Sequence, residues 1–236
     1  MKDGFVVADR FVFQEETHLT VLKTSLFFAN DGFTVYDCKG DLVLRVDTYG
    51  PEARDSGEIV LMDANGRCLL TVRRKMPSLH HRWEGFTGER IDGHQKPIFS
   101  LRRSSMIGRS TMSVEVFRDP EPCEEYQIEG NFAQRCCTIL NAERELVAEI
   151  QRKVDASTQV VLGKDAFSLC VKPGFDGAFA MGLVLVLDQI NCDDYVTQVV
   201  QEEPVTDDSV TQGVQVEPVT DDPVTQGVPE EPVTDD

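Results

Sequence analysis

Between residues 20 and 172 apolar and polar residues alternate with a period of two, in short runs separated by turn residues. That period puts successive side chains on opposite faces, so each run predicts a strand with one buried face. Residues 33–37 run into Lys39-Gly40 and return as 42–46, and residues 59–63 run into Asn65-Gly66 and return as 68–74. Both read as hairpins, the second on the strongest short turn signal, because both positions of an Asn-Gly pair tolerate positive φ. Met112, Val114 and Val116 alternate with Ser113 and Glu115, as Phe167, Leu169 and Val171 do with Ser168 and Cys170. Further strands are expected at 81–86, 98–103, 125–130, 136–140, 145–152 and 159–162, about twelve in all by the run-and-turn rules. Antiparallel strands in that number must close into a barrel or pack as a sandwich to hide their edges.

The alternation ends in a different pattern. Asp176 can cap a helix over 176–191, whose residues 178–187 (AFAMGLVLVL) are apolar on every face. A helix of that kind must be surrounded. Ten residues span about 15 Å, too short for a bilayer and suited to the inside of a small domain. A strand over 183–187 is the alternative, since that run contains two valines. With the helix, the fold class is mainly β: a closed antiparallel barrel of about twelve strands enclosing a hydrophobic C-terminal α-helix.

Composition sharpens the domain boundaries. The chain has 236 residues and a net charge of -18, with 41 acidic and 23 basic residues. Residues 201–236 hold eleven of the acids and no Lys or Arg, which leaves 30 acids against 23 bases in the remainder. EPVTDD recurs at 203–208, 217–222 and 231–236, with VTQGV at 210–214 and 224–228. A repeat so polar cannot bury enough surface to offset its ordering entropy, and a disordered acidic tail is expected over 196–236. The remaining divisions are an N-terminal extension over 1–19 and the barrel over 20–195. Such acidity argues against nucleic-acid partners. No apolar run reaches the roughly 20 residues of a membrane helix, and the N-terminus shows neither a secretory nor a transit signal. Seven cysteines without paired short spacings fit reduced thiols. The expected location is the cytoplasm, extending to the inner face of the plasma membrane or the nucleus, and a monomer is expected.

Several ordered motifs resemble one known family. FTVYDCKGDLVLRV at 33–46, RRKMPSLHHRW at 73–83, RRSSM at 102–106, Phe117 and LGKDAF at 162–167 look like the plant LURP-one-related proteins, and 173–191 looks like their closing helix. The resemblance covers roughly residues 20–192. It implies a twelve-stranded barrel threaded by a hydrophobic helix, similar to tubby C-terminal domains and phospholipid scramblases, and a link to plant basal defence. It supplies no catalytic or ligand-binding residue to carry over. The acidic repeats depart from it, as do Gly177 and Gly182, each costing about 1 kcal/mol of helix propensity, so the helix depends on its barrel.

Catalytic constellations are lacking in the sequence. His18, His80, His81 and His94 form no HExxH and accompany no CxxC, so no metal or cofactor is expected. Gly163-Lys164 lacks the remainder of a phosphate loop, and no GxSxG elbow occurs. Cys136 and Cys137 alternate faces of one strand, with one thiol buried and the other accessible. No enzyme is expected.

One stretch stands out electrostatically. Residues 73–109 hold nine bases against three acids. Arg73, Arg74, Lys75, Arg82, Arg102, Arg103 and Arg109 are the candidate phosphate or lipid-headgroup ligands, with Arg90 and Lys96 completing the nine, because guanidinium forks grip phosphate bidentately. Arg102-Arg103-Ser104-Ser105 makes Ser105 a candidate regulatory phosphosite. The alternative is that these cations decorate solvent-facing strands and pair with acids such as Glu84 and Glu89. The expected function is a nonenzymatic binding or tethering module for phosphoinositide or anionic phospholipid headgroups, or for a phosphorylated partner, with peripheral membrane contact at most. A protein-only scaffold in defence signalling and a small-ligand carrier are the alternatives. A tail of this charge lying over the basic stretch would block it. Deleting residues 201–236 is then expected to raise cosedimentation with anionic vesicles at low salt, and equal binding before and after deletion refutes the autoinhibition.

Overall fold

The computed structural model describes residues 5–25, 31–47, 57–76, 82–89, 95–104, 111–118, 121–155 and 157–202. The strands are β1 (Thr17–Ser25), β2 (Asp31–Tyr36), β3 (Leu42–Asp47), β4 (Glu58–Asp63), β5 (Cys68–Arg74), β6 (Trp83–Thr87), β7 (Phe99–Ser104), β8 (Thr111–Arg118), β9 (Glu121–Asn131), β10 (Cys136–Leu140), β11 (Leu146–Arg152) and β12 (Ala166–Val171). Each strand pairs antiparallel with its neighbours in sequence, and β1 pairs with both β2 and β12 to close the barrel. Helix α1 (Gly177–Glu202) follows β12. Residues 178–187 are 0 to 2% exposed wherever they carry a side chain. The rod is sheathed on all sides, as its unbroken apolarity requires.

Two strand assignments are corrected. The run 159–162 is not a strand: Gln159 has φ 56, and among the described residues it joins no sheet strand but forms an isolated bridge between Val154 and Val161. Val160 and Val161 are 59% and 47% exposed. A turn closed by Asp155, whose carboxylate accepts from the Ser157 and Thr158 amides, takes the chain out of register with the sheet. The twelfth strand is instead β1, inside the segment read partly as an extension. Leu19 and Val21 point inward there, but apolar Leu22 falls on the outer face and blurs the alternation. Helix α1 likewise runs beyond Asn191 to Glu202. Residues 203–236, with the acidic repeats, lie outside the described residues.

The hairpins share one turn design. In the loops after β2 and β4, Gly40 and Gly66 donate to the carbonyls of Asp37 and Asp63, and both glycines have positive φ. Asp37 Oδ1 accepts from the amides of Lys39 and Asp41, and Asp63 Oδ1 from those of Asn65 and Arg67. Only the glycine of Asn65-Gly66 has a positive φ, so the pair occupies the last two positions of a four-residue turn, not its centre. Burial alone would raise the Asp63 carboxyl. The amides of Arg67 and Asn65, with the Arg10 guanidinium, more than offset it and hold the group below the usual aspartate value.

At the start of α1 the carboxylate of Asp176, 1% exposed, is saturated by backbone amides. Oδ1 accepts from Ala178 and Phe179 at 2.9 and 3.1 Å, capping the helix. Oδ2 accepts from Val6, Val7 and Ala8 at 3.1, 2.7 and 2.9 Å, tying the N-terminal segment across this end of the barrel. Val7 and Phe11 are buried there, and Phe13 Cε2 sits 2.8 Å from where a Cβ on Gly177 would lie. The glycine thus makes room for the strap. Gly182 does the same inside the lumen, where a Cβ would meet Leu70 Cδ2 at 2.4 Å. Asp176→Ala leaves five amides without their acceptor, and a buried unsatisfied donor costs about 1–3 kcal/mol. The expected loss is at least about 3 kcal/mol in urea denaturation; a loss below ~1 kcal/mol would show that water replaces the carboxylate.

Candidate functional site

Strand alternation separates the predicted cations. Arg102 and Arg103 are adjacent on β7, so they face opposite ways. Arg102 turns outward and pairs with Glu115 at 3.1 Å. Arg103, on the same strand face as the buried Phe99 and Leu101, reaches the rim where α1 leaves the barrel. Arg73 and Lys75 share the outer face and converge on Glu84, at 3.8 and 2.8 Å, while Arg73 also covers the Phe86 ring. Arg73, Arg74 and Lys75 border one hollow of about 420 Å³, with Glu84 among its walls. Arg82 is half-buried next to Trp83, and Lys96 is exposed. Arg90, Arg109, His80, His81, His94 and the phosphosite Ser105 lie outside the described residues. Of the predicted set, three gather at one hollow around a carboxylate, one is paired elsewhere, and one reaches a second site.

That second site is the mouth of the barrel. It is a cavity of about 550 Å³ lined by cations Lys23, Arg103, Arg135 and Lys164 and by carboxylates Asp165 and Asp188. Five of these come from element ends, Lys23 from β1, Arg103 from β7, Arg135 from the turn before β10, and Lys164 and Asp165 from the approach to β12, while Asp188 lies within α1. Met112, Ile128, Phe132, Leu187 and Ile190 add apolar wall.

Asp188, 2% exposed, anchors this cluster. Lys23 Nζ donates to both of its oxygens at 3.1 and 2.9 Å, and Arg135 Nη2 lies 3.8 Å from Oδ1. Arg135 is 6% exposed, an unusual burial for arginine. Residues 132–134 form a single 3-10 turn, capped by the Asn131 side chain, and Arg135 ends it in a left-handed conformation. Its guanidinium carbon lies 4.2 Å from the Phe132 ring centre and 4.5 Å from that of Phe167. Nε donates to the Lys164 carbonyl at 2.9 Å, while Nη1 is buried without a hydrogen-bond partner among the described residues. Burial pulls the guanidinium below its ordinary value, and Asp188 opposes that pull. Two cations thus lean on one buried carboxylate.

Sequence reasoning found only Arg103 at this mouth. The acid ending the apolar stretch of α1 was the available signal for Asp188, because a buried acid requires a cation. Nothing local marks Arg135 or Lys23 as its partners.

All seven cysteines are free thiols. Cys136 is exposed, and Cys137 is buried with its thiol pushed up to about 12 by that burial, so the two alternate faces as expected.

A twelve-stranded antiparallel barrel plugged lengthwise by its own C-terminal helix, with cations gathered at the helix exit, defines a helix-plugged barrel class. The chain belongs to the LURP-one-related family, whose sequence model matches residues 17–188. Its relatives include Protein LURP-one-related 5 of Arabidopsis thaliana, 67% identical over 207 residues covering 87% of this chain and 97% of that protein. Protein LURP-one-related 12 of the same plant is 63% identical over 196 residues, covering 83% and 88%. An X-ray structure of another Arabidopsis thaliana protein superposes with a TM-score of 0.59 over 80% of this chain and 99% of its own, at 21% identity, and so shares the fold.

Asp188→Ala leaves Lys23 and Arg135 without their buried counter-charge. Breaking a buried pair by removing one partner costs about 3–5 kcal/mol, and chemical denaturation should show that loss. Unchanged stability would place both cations in water.

Proposed function

We propose that this protein is a nonenzymatic binding module of plant defence that takes a phosphate-bearing lipid headgroup at the mouth of its barrel. The observation that carries the reading is the mouth itself: four cations against two carboxylates, a local excess of positive charge on a chain whose net charge is -18. Arg103 and Lys164 are exposed at that rim, where an anion can approach them from solvent. Arginine forks suit tetrahedral phosphate, and the apolar wall of Met112 and Ile190 gives a glycerol backbone something to lie against. The outer hollow at Arg73 and Lys75 is the weaker candidate, because Glu84 already engages both cations. A lumen filled by α1 supports a surface role over an enzyme or an enclosed carrier.

Vesicle cosedimentation tests the proposal, with neutral vesicles, vesicles carrying phosphatidylserine and vesicles carrying phosphoinositide. Binding to phosphoinositide vesicles is expected to fall at least tenfold in Arg103→Glu/Lys164→Glu and to change less than twofold in Arg102→Glu. Soluble inositol phosphates should compete. Binding indifferent to headgroup and to both charge reversals overturns the proposal.

A further inference from the structure

On the outside of the barrel, away from the mouth, strand pairing brings one distant cysteine beside two metal-ligating side chains that are two residues apart in sequence. His18 on β1 lies directly opposite Cys170 on β12, and Glu16 immediately precedes β1. One donor atom from each of Glu16, His18 and Cys170 lies within 4.8 Å of the other two. His18 Nε2 is 3.2 Å from Glu16 Oε1. We propose that Glu16, His18 and Cys170 bind a zinc ion across the seam that closes the barrel.

The donor set suits that metal. Thiolate, imidazole and carboxylate are the protein ligands of zinc, whereas magnesium and calcium favour oxygen alone. Zinc bond lengths of about 2.0–2.3 Å in a tetrahedral arrangement put ligand atoms roughly 3.5 Å apart. The donor atoms already lie within 4.8 Å of one another, close to that spacing. Cys170 is 4% exposed, while the side chains of Glu16 and His18 are 42% and 61% exposed. The sulfur therefore forms the floor, and the two exposed donors leave a fourth position to water.

Glu16 is engaged by three neighbours, the third being the Cys170 thiol, whose proton zinc would displace. Lys172 Nζ bonds Oε2, and Oε1 faces His18. The oxygen turned toward the imidazole is not the one the ammonium holds, so the lysine competes in charge without filling the site. Glu149 on β11 stands opposite Cys170 on its other side and adds a second carboxylate to the row. The motifs HExxH and CxxC do not describe such a site, because Cys170 joins Glu16 and His18 only through β1–β12 pairing. Zinc held there would bridge the first and last strands and, by binding the folded chain in preference to the unfolded one, would raise its melting temperature.

The full chain, freed of metal and kept reduced, is titrated with Zn²⁺ against a chromogenic chelator, and in parallel with Co²⁺ followed by absorption. One equivalent of Zn²⁺ per chain, a rise in melting temperature and a thiolate-to-cobalt charge-transfer band are expected. His18→Ala, at an exposed position, should weaken Zn²⁺ binding at least tenfold, and Cys170→Ser should abolish the cobalt band. Lys172→Gln should tighten binding. Cys136→Ser, on a different strand, should leave all three readouts unchanged. No stoichiometric Zn²⁺ uptake, or uptake that survives His18→Ala, overturns the proposal, as does a cobalt band lost in Cys136→Ser. These readouts do not depend on vesicles, so failure here leaves the headgroup proposal standing.

Discussion

The carboxylate of Asp176 holds the two halves of this structure together. An all-apolar helix has no stable existence outside a sheath, and a sheath of twelve strands has no stable interior without a filling. The plug must therefore be placed and fixed in depth. Asp176 does this by accepting five backbone amides, two from the helix it caps and three from the strap of residues 6–8. Those groups are separated by 168 residues or more along the chain. An anion at a helix N-terminus also meets the favourable end of the helix dipole. One side chain thus closes the barrel at that end, starts the helix and satisfies donors that would otherwise be buried alone.

The other end of the buried stretch is organised by a second acid with opposite chemistry. Asp188 is as buried as Asp176 but accepts no backbone amide among the described bonds; its partners are the cations Lys23 and Arg135. A carboxylate held by amides is electrostatically complete. One flanked by two cations leaves positive charge to spare, and Arg103 and Lys164 add to it at the rim. The two ends of the barrel are therefore unequal: one is sealed by the strap, while the other is open, cationic and partly apolar. The family match ends at residue 188, so it spans both acids and the barrel between them.

How much of this was legible in the sequence follows from the range of each interaction. Period-two alternation is local, and it located eleven of the twelve strands because their inner faces touch one shared plug. It failed at β1, where Leu22 on the outer face hides the pattern, and at 159–162, where two exposed valines imitate a strand. The apolar helix was legible because apolarity on every face admits only burial. The sites were much less so. Nine bases within 37 residues look like a patch on paper, but a strand sends alternate residues to opposite sides, and Arg102 and Arg103 part company at once. The mouth combines Lys23, Arg103, Arg135 and Asp188 from four elements, and the Glu16, His18 and Cys170 group needs the first and last strands to meet. Only the register of the closed barrel brings such residues together.

Closure and plugging together determine where this molecule can act. A closed barrel offers no free strand edge for a partner peptide, and its lumen is occupied by α1. Among the described residues the surfaces left for binding are the rims and the outer wall. At the sealed rim Asp176 is taken up by five backbone amides and Asp63 by Arg10 and two amides. At the open rim Arg135 keeps Nη1 without a hydrogen-bond partner among the described residues, although it stacks on two phenylalanines and donates elsewhere. Burying a guanidinium with a donor unsatisfied costs stability, and a fold chosen for stability alone would place a hydrophobic residue between Phe132 and Phe167. The position is instead held by Arg135, which stacks on both rings and sets its charge against the buried Asp188 at the mouth.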